Sequence, residues 1–184
     1  MGKDQDVLQA VKDRDIPLLQ KLLIKGGKSG KTKLLGSSRR LNLDYQDSDG
    51  MSALHQAALV GSLEMMGMLL EQGVSVGITD NKGMLALHYA CWQGKAEPVH
   101  MLLQWRSPVN NQSYDGATPL HLACQHGHFD VANLLLLHNS LPTVLNHEYK
   151  TSFDLACEFG RYRVVDLLLR SNLCASLLLE LPMI

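Results

Sequence analysis

The chain has 184 residues, 46% apolar and 19% charged, with a formal net charge of −1. Such a length and apolar share suffice for one packed domain. No sequence-specific nucleic-acid binding is expected, and no apolar run reaches the roughly eighteen residues of a membrane-crossing helix.

The first element in chain order is a pair of short helices over residues 1–25. Val7, Leu8 and Val11, then Leu18, Leu19, Leu22 and Leu23, recur at helical spacing with a break at Asp15-Ile16-Pro17. The opening Met1-Gly2-Lys3-Asp4-Gln5-Asp6 lacks the apolar stretch of a secretory signal, which points to the cytoplasm. Gly2 is a weak acylation signal, because Asp6 stands where Ser or Thr is needed.

Residues 26–40 read as a flexible basic insertion. Lys25, Lys28, Lys31, Lys33, Arg39 and Arg40 crowd the stretch from Lys25 to Arg40, which holds no acid. Such a run can attract an acidic partner or an anionic lipid surface, or it can be a solvated loop. Gly26-Gly27-Lys28-Ser29-Gly30-Lys31-Thr32 approaches a phosphate-binding loop. It lacks the first glycine, where Lys25 stands, and the strand before it that would aim backbone N–H groups at phosphate. No nucleotide is expected there.

A repeat governs the rest. His55, His88 and His121 lie 33 positions apart, as do Gly61, Gly94, Gly127 and Gly160. Thr118-Pro119-Leu120-His121-Leu122-Ala123 carries the T-P-L-H-x-A signature that, at this period, resembles ankyrin repeats, each a tight turn and two antiparallel helices. The expected fold is an all-α ankyrin-repeat solenoid with short turn hairpins. Four repeats fall at about 41–79, 80–112, 113–146 and 147–172, and residues 173–184 form an incomplete unit or tail.

Each repeat has the same internal logic. Ala57, Ala90, Ala123 and Ala156 mark where first helices crowd their neighbours, and Leu69-Leu70, Leu102-Leu103, Leu135-Leu136 and Leu168-Leu169 form the apolar stripe of the second helices. Second helices should stop at Gly73, Arg106, Asn139 and Asn172, residues suited to a left-handed C-terminal cap except Arg106. Tyr149 replaces the turn glycine of the earlier repeats, so the fourth turn should be less regular.

Cys91, Cys124 and Cys157 are equivalent sites in successive helices. Helices about 8–10 Å apart hold Cα atoms beyond the roughly 7 Å reach of a disulfide, so reduced, buried core cysteines are expected. His88 with Cys91, His121 with Cys124, and His126 with His128 could suggest metal or thiol chemistry. The period accounts for the first two pairs and an inter-helix corner for the third, so neither metal, cofactor nor catalytic group is expected. The ruler histidines should hold one turn against the next.

Recognition is the remaining chemistry. In ankyrin arrays the turn tips and exposed sides of the first helices line a concave face, which aligns Met51, Gln56, Leu59 and Val60 with Met84, Tyr89, Trp92 and Gln93. Tyr114, Leu122, Gln125 and His126 follow, then Lys150, Leu155, Glu158 and Phe159. Tyr89 and Trp92 are the sharpest partner-binding candidates, since large aromatics dominate binding energetics; the alternative is that they pack against the next repeat.

Outside the repeat pattern, the opening Met1 to Lys12, Thr32-Lys33-Leu34-Leu35-Gly36-Ser37, Asp80-Asn81-Lys82-Gly83-Met84 and Leu87-His88-Tyr89-Ala90-Cys91-Trp92-Gln93-Gly94-Lys95 resemble the N-terminal ankyrin region of the Caskin scaffolds. Asp154 to Arg161 and Ser171-Asn172-Leu173-Cys174 extend the resemblance. Leu85-Ala86 in place of Thr-Pro and the Leu-Pro-Met-Ile ending depart from it, as in a divergent or truncated relative. The resemblance implies a non-enzymatic intracellular adaptor with a signalling role, prominent at synapses, that binds protein partners. An ankyrin-type inhibitor of a kinase or transcription factor is the alternative.

Overall fold

The computed structural model describes residues 3–27 and 41–179. Most of the basic stretch, with its glycine-lysine motif, and the last five residues lie outside them. The described residues form ten α-helices: α1 (Lys3–Lys12), α2 (Ile16–Gly27), α3 (Ala53–Val60), α4 (Leu63–Glu71), α5 (Ala86–Trp92), α6 (Ala96–Gln104), α7 (Pro119–His126), α8 (Phe129–Leu137), α9 (Ser152–Glu158) and α10 (Tyr162–Leu179).

The helices stack in two layers. First helices α1, α3, α5, α7 and α9 pack in series, and second helices α2, α4, α6, α8 and α10 form the other layer. The first helices contact one another more extensively than the second helices do. Ala57, Ala90, Ala123 and Ala156 are fully buried at these approaches, where a longer side chain would overpack the seam. One continuous core runs from Val7 in α1 to Leu168 in α10.

Short hairpins precede the first helices. At the same register in each, Asp47, Asp80, Ser113 and Asn146 close a turn, their N–H groups donating to Met51, Met84, Ala117 and Lys150 carbonyls at 2.9–3.1 Å. Adjacent hairpins are tied by backbone bonds: Asn81 N–H donates to the Asp49 carbonyl (3.1 Å), Tyr114 to Lys82 (2.9 Å) and His147 to Asp115 (2.9 Å). Gly83 has φ +73°, and a Cβ there would meet the Tyr114 ring at 2.7 Å, so both conformation and space require glycine.

The ruler histidines complete the seams. His55 Nδ1 accepts the Ser52 N–H at 3.1 Å while its Nε2–H donates across to the Met84 carbonyl at 2.9 Å. His88 receives the Leu85 N–H and reaches the Asn111 and Ala117 carbonyls at 3.1 and 3.2 Å; His121 receives Thr118 N–H and reaches Lys150 at 3.1 Å. A ring that accepts at Nδ1 and donates at Nε2 must be neutral. Burial lowers the pKa of all three, that of His88 to about 4.

Several sequence expectations need correction. Gly73, Arg106 and Asn139 adopt φ values of 83°, 61° and 63° just past α4, α6 and α8, but α10 runs through Asn172 to Leu179. The fourth turn is not less regular: Tyr149 takes φ 59° itself, and its N–H donates to the Asn146 carbonyl at 3.0 Å as the turn glycines do in the earlier repeats. The N-terminal pair extends past residue 25 to Gly27, with Arg14 at φ 57° in the break. Cys91 and Cys124 are buried, whereas Cys157 is exposed, since no further repeat packs on that side of α9 among the described residues.

Candidate functional site

The first-helix face is built from side chains that the stacking does not consume. Trp92, at the end of α5, is 42% exposed, and its ring lies 6.3 Å from that of His126 at the end of α7. His126 in turn stacks at 6.0 Å on His128. Phe159 continues the line past α9, 44% exposed, and Tyr114 stands out from the third hairpin. Three aromatic rings and an imidazole thus face solvent along repeats two to four.

Tyr89 does not join them. The sequence reading set it beside Trp92 as a projecting residue, yet it is 7% exposed. Its hydroxyl donates to Asp80 Oδ2 at 2.5 Å, while Asp80 Oδ1 accepts the Lys82 and Met84 N–H groups at 2.8 Å. Burial and the Asp80 carboxylate both push the phenol pKa up. With edge contacts to His55 (6.0 Å) and Trp92 (6.4 Å), Tyr89 props the second hairpin and supports the indole from beneath.

The other candidates divide between face and frame. Gln93 is exposed; Met51, Gln56, Met84 and Gln125 are half-buried, with Gln56 Nε2 donating to the Met51 sulfur at 3.3 Å. Glu158 is committed to Lys150 Nζ at 2.8 Å, and Lys150 also holds Glu148 at 2.9 Å. Those two carboxylates raise the Lys150 pKa. Leu155, aligned with Tyr89, is likewise buried. Burial, followed by the positive field of His128 and Arg161, lowers the His126 pKa.

One set of residues escaped the sequence reading although its period was visible. Lys95, His128 and Arg161, each 33 positions from the next, follow the ruler glycines and line the inner corner. Lys95 Nζ donates to the Val60 carbonyl, His128 Nε2 to Trp92 and Arg161 Nε to Gln125, each at 2.9 Å. They clamp adjacent repeats, and Lys95 and Arg161 leave positive charge beside the aromatic line. No group of three or more His, Cys, Asp or Glu positioned for a metal occurs among the described residues. His88 and His121 are spent on backbone, and burial pushes the Cys91 thiol pKa up and that of Cys124 up to about 12.

These features define a class. A family model described as "Ankyrin repeats (3 copies)" matches residues 7–112 and 105–176, and the chain belongs to the ankyrin-repeat family, a protein–protein interaction fold. Within it, the chain is similar to the ankyrin region of the Caskins: 56% identical to human Caskin-2 and 53% to rat Caskin-1, each over 78 residues. Those matches cover 42% of this chain but only 6% and 5% of the relatives. A zebrafish protein named "Ankyrin repeat and sterile alpha motif domain-containing protein 1B" is 35% identical over 92 residues, 43% of this chain and 7% of its own length. No described helix is long and apolar enough to cross a membrane.

Proposed function

We propose that the chain binds protein partners on its first-helix face, as the recognition module of a cytoplasmic scaffold or adaptor. The observation that carries this reading is the solvent-facing line of Trp92, His126 and Phe159, which the stack does not need for its core. An indole already seated against Tyr89 and His126 loses little side-chain freedom when a partner covers it, and preorganised aromatics of this kind concentrate binding energy. The half-buried Met51, Gln56, Met84 and Gln125 and the exposed Gln93 and Tyr114 supply the surrounding contacts. Glu158 with Lys150 bounds the face at its far end. The similarity to Caskins supports the adaptor reading.

The test is affinity capture from a cell extract by the full chain and by a Trp92→Ala, Phe159→Ala double variant of equal melting temperature. Proteins retained by the first should be lost by the second. Identical captured sets would place recognition on another face.

A further inference from the structure

A second interaction surface lies on the opposite side of the molecule, in the layer of second helices. A cleft of about 520 Å³ runs between α6 and α8. Its apolar lining comes from Ala96 and Met101 of α6 and Leu134 and Leu137 of α8, with Leu63 of α4 at one end. Met101 and Leu134 are half-buried and sit at a register where Met68 and Leu167 are also apolar, so the scaffold explains them.

Leu137 is different. It is 72% exposed, and the equivalent residues in the other repeats are Glu71, Gln104 and Arg170. A requirement of stacking would recur every 33 residues; this apolar side chain does not. It extends the cleft into an apolar strip along α6 and α8.

Charge marks one edge. Glu64, Glu97 and Asp130 occupy the first turns of α4, α6 and α8 at the same register, all exposed. Glu97 and Asp130 line the cleft itself. Carboxylates there favour the helix ends, but no described cation pairs with any of the three. At the same register in α10 the residue is Arg163, which lies 4.9 Å over the Phe129 ring.

We propose that the α6–α8 cleft receives a short amphipathic helix of a partner protein, its apolar residues on Met101, Leu134 and Leu137 and its lysines or arginines toward Glu97 and Asp130. Helix α6 spans nine residues, so the cleft accommodates about two helical turns. Anchors at i, i+3 or i+4, and i+7 match that length. The surface is independent of the first-helix face, and a scaffold could occupy both at once.

The probe is a fluorescein-labelled, helix-stapled peptide with leucines at those spacings and lysines on one flank, compared with the same peptide carrying glutamates there. Anisotropy with the full chain should show the lysine form binding at least about tenfold more tightly. Leu137→Glu and Leu137→Gln, which copy the residues at that register in repeats one and two, should each weaken binding by about tenfold without changing the melt. Glu97→Gln with Asp130→Asn should erase the preference between peptides, and backbone NMR shifts should cluster on α6 and α8. Equal affinity of the two peptides, no effect of either Leu137 variant, or shifts centred on Trp92 would overturn the proposal. So would wild-type dimerisation that Leu137→Glu abolishes, since the occupant would then be a second copy of this chain.

Discussion

Repeats two and three share their register with repeat four, yet the same positions have different fates. Cys91 and Cys124 are buried where Cys157 is exposed. Leu103 is 7% exposed and Leu169 46%. His88 and His121 bridge to the next hairpin, while Asp154 at that register bonds only its own Thr151, at 2.7 Å to the hydroxyl and 2.8 Å to the N–H. A repeat does not own its core; the following repeat completes it. Stability should therefore be unevenly shared along the chain.

The largest effect that would sharpen this contrast comes from truncating equivalent leucines. Leu103→Ala removes a buried side chain and should cost about 2–5 kcal/mol. Leu169→Ala, at a half-open site, should stay near or below about 1 kcal/mol. Urea melts of the two variants measure both, and equal losses would break the comparison.

Acid distinguishes the two regions next. His88 holds a pKa of about 4 against 6.5 for the free side chain, so the unfolded chain binds a proton that the folded one excludes. The His88 contribution to stability should be fully present above pH 6.5 and fall away as pH drops toward 4, by about 3 kcal/mol, beyond which this group adds no further loss. His55 and His121 act in the same direction. Asp154 behaves differently: bonds from Thr151 lower its pKa below 3.8, so its small contribution is present above that value and fades only in stronger acid. A His88→Gln variant should be less stable at pH 7.5 but show a shallower decline from pH 6.5 to 4. An unchanged slope would assign the acid sensitivity elsewhere.

The smallest perturbation is chemical. In a Cys174→Ser background, Cys157 should react with a thiol reagent in the native protein, whereas Cys91 and Cys124 should react only on unfolding. Uniform protection of all three would mean that repeat four is covered like the others.

The repeat itself was legible because every seam uses the same atoms at the same interval. Alanines, bridging histidines and turn glycines announce the stack from the sequence, whereas Arg106, the exception among the helix-ending residues, takes φ 61° and closes its turn as Gly73 does. Neighbour-dependent features were harder to read. Nothing in Cys157 itself tells that its side is open, and Asn172 suits a cap that α10 does not use. For the site, Trp92, His126 and Phe159 could be placed on the face from register alone. Tyr89 could not, because its inward turn depends on the buried Asp80 carboxylate. The Lys95, His128 and Arg161 clamp was visible as a period but masked by its changing chemistry.

The central claim is that the recognition face is separable from the stack, and Trp92→Ala set against Ala123→Leu tests it most directly. Ala123 is fully buried between first helices, so leucine there should destabilise by about 1–3 kcal/mol and affect a captured partner only through unfolding. Trp92→Ala should leave the melting temperature nearly unchanged while weakening that partner's binding by about 2 kcal/mol or more. If Trp92→Ala instead lowers the melt as far as Ala123→Leu and the folded fraction binds normally, Trp92 belongs to the core and the proposed face is contradicted.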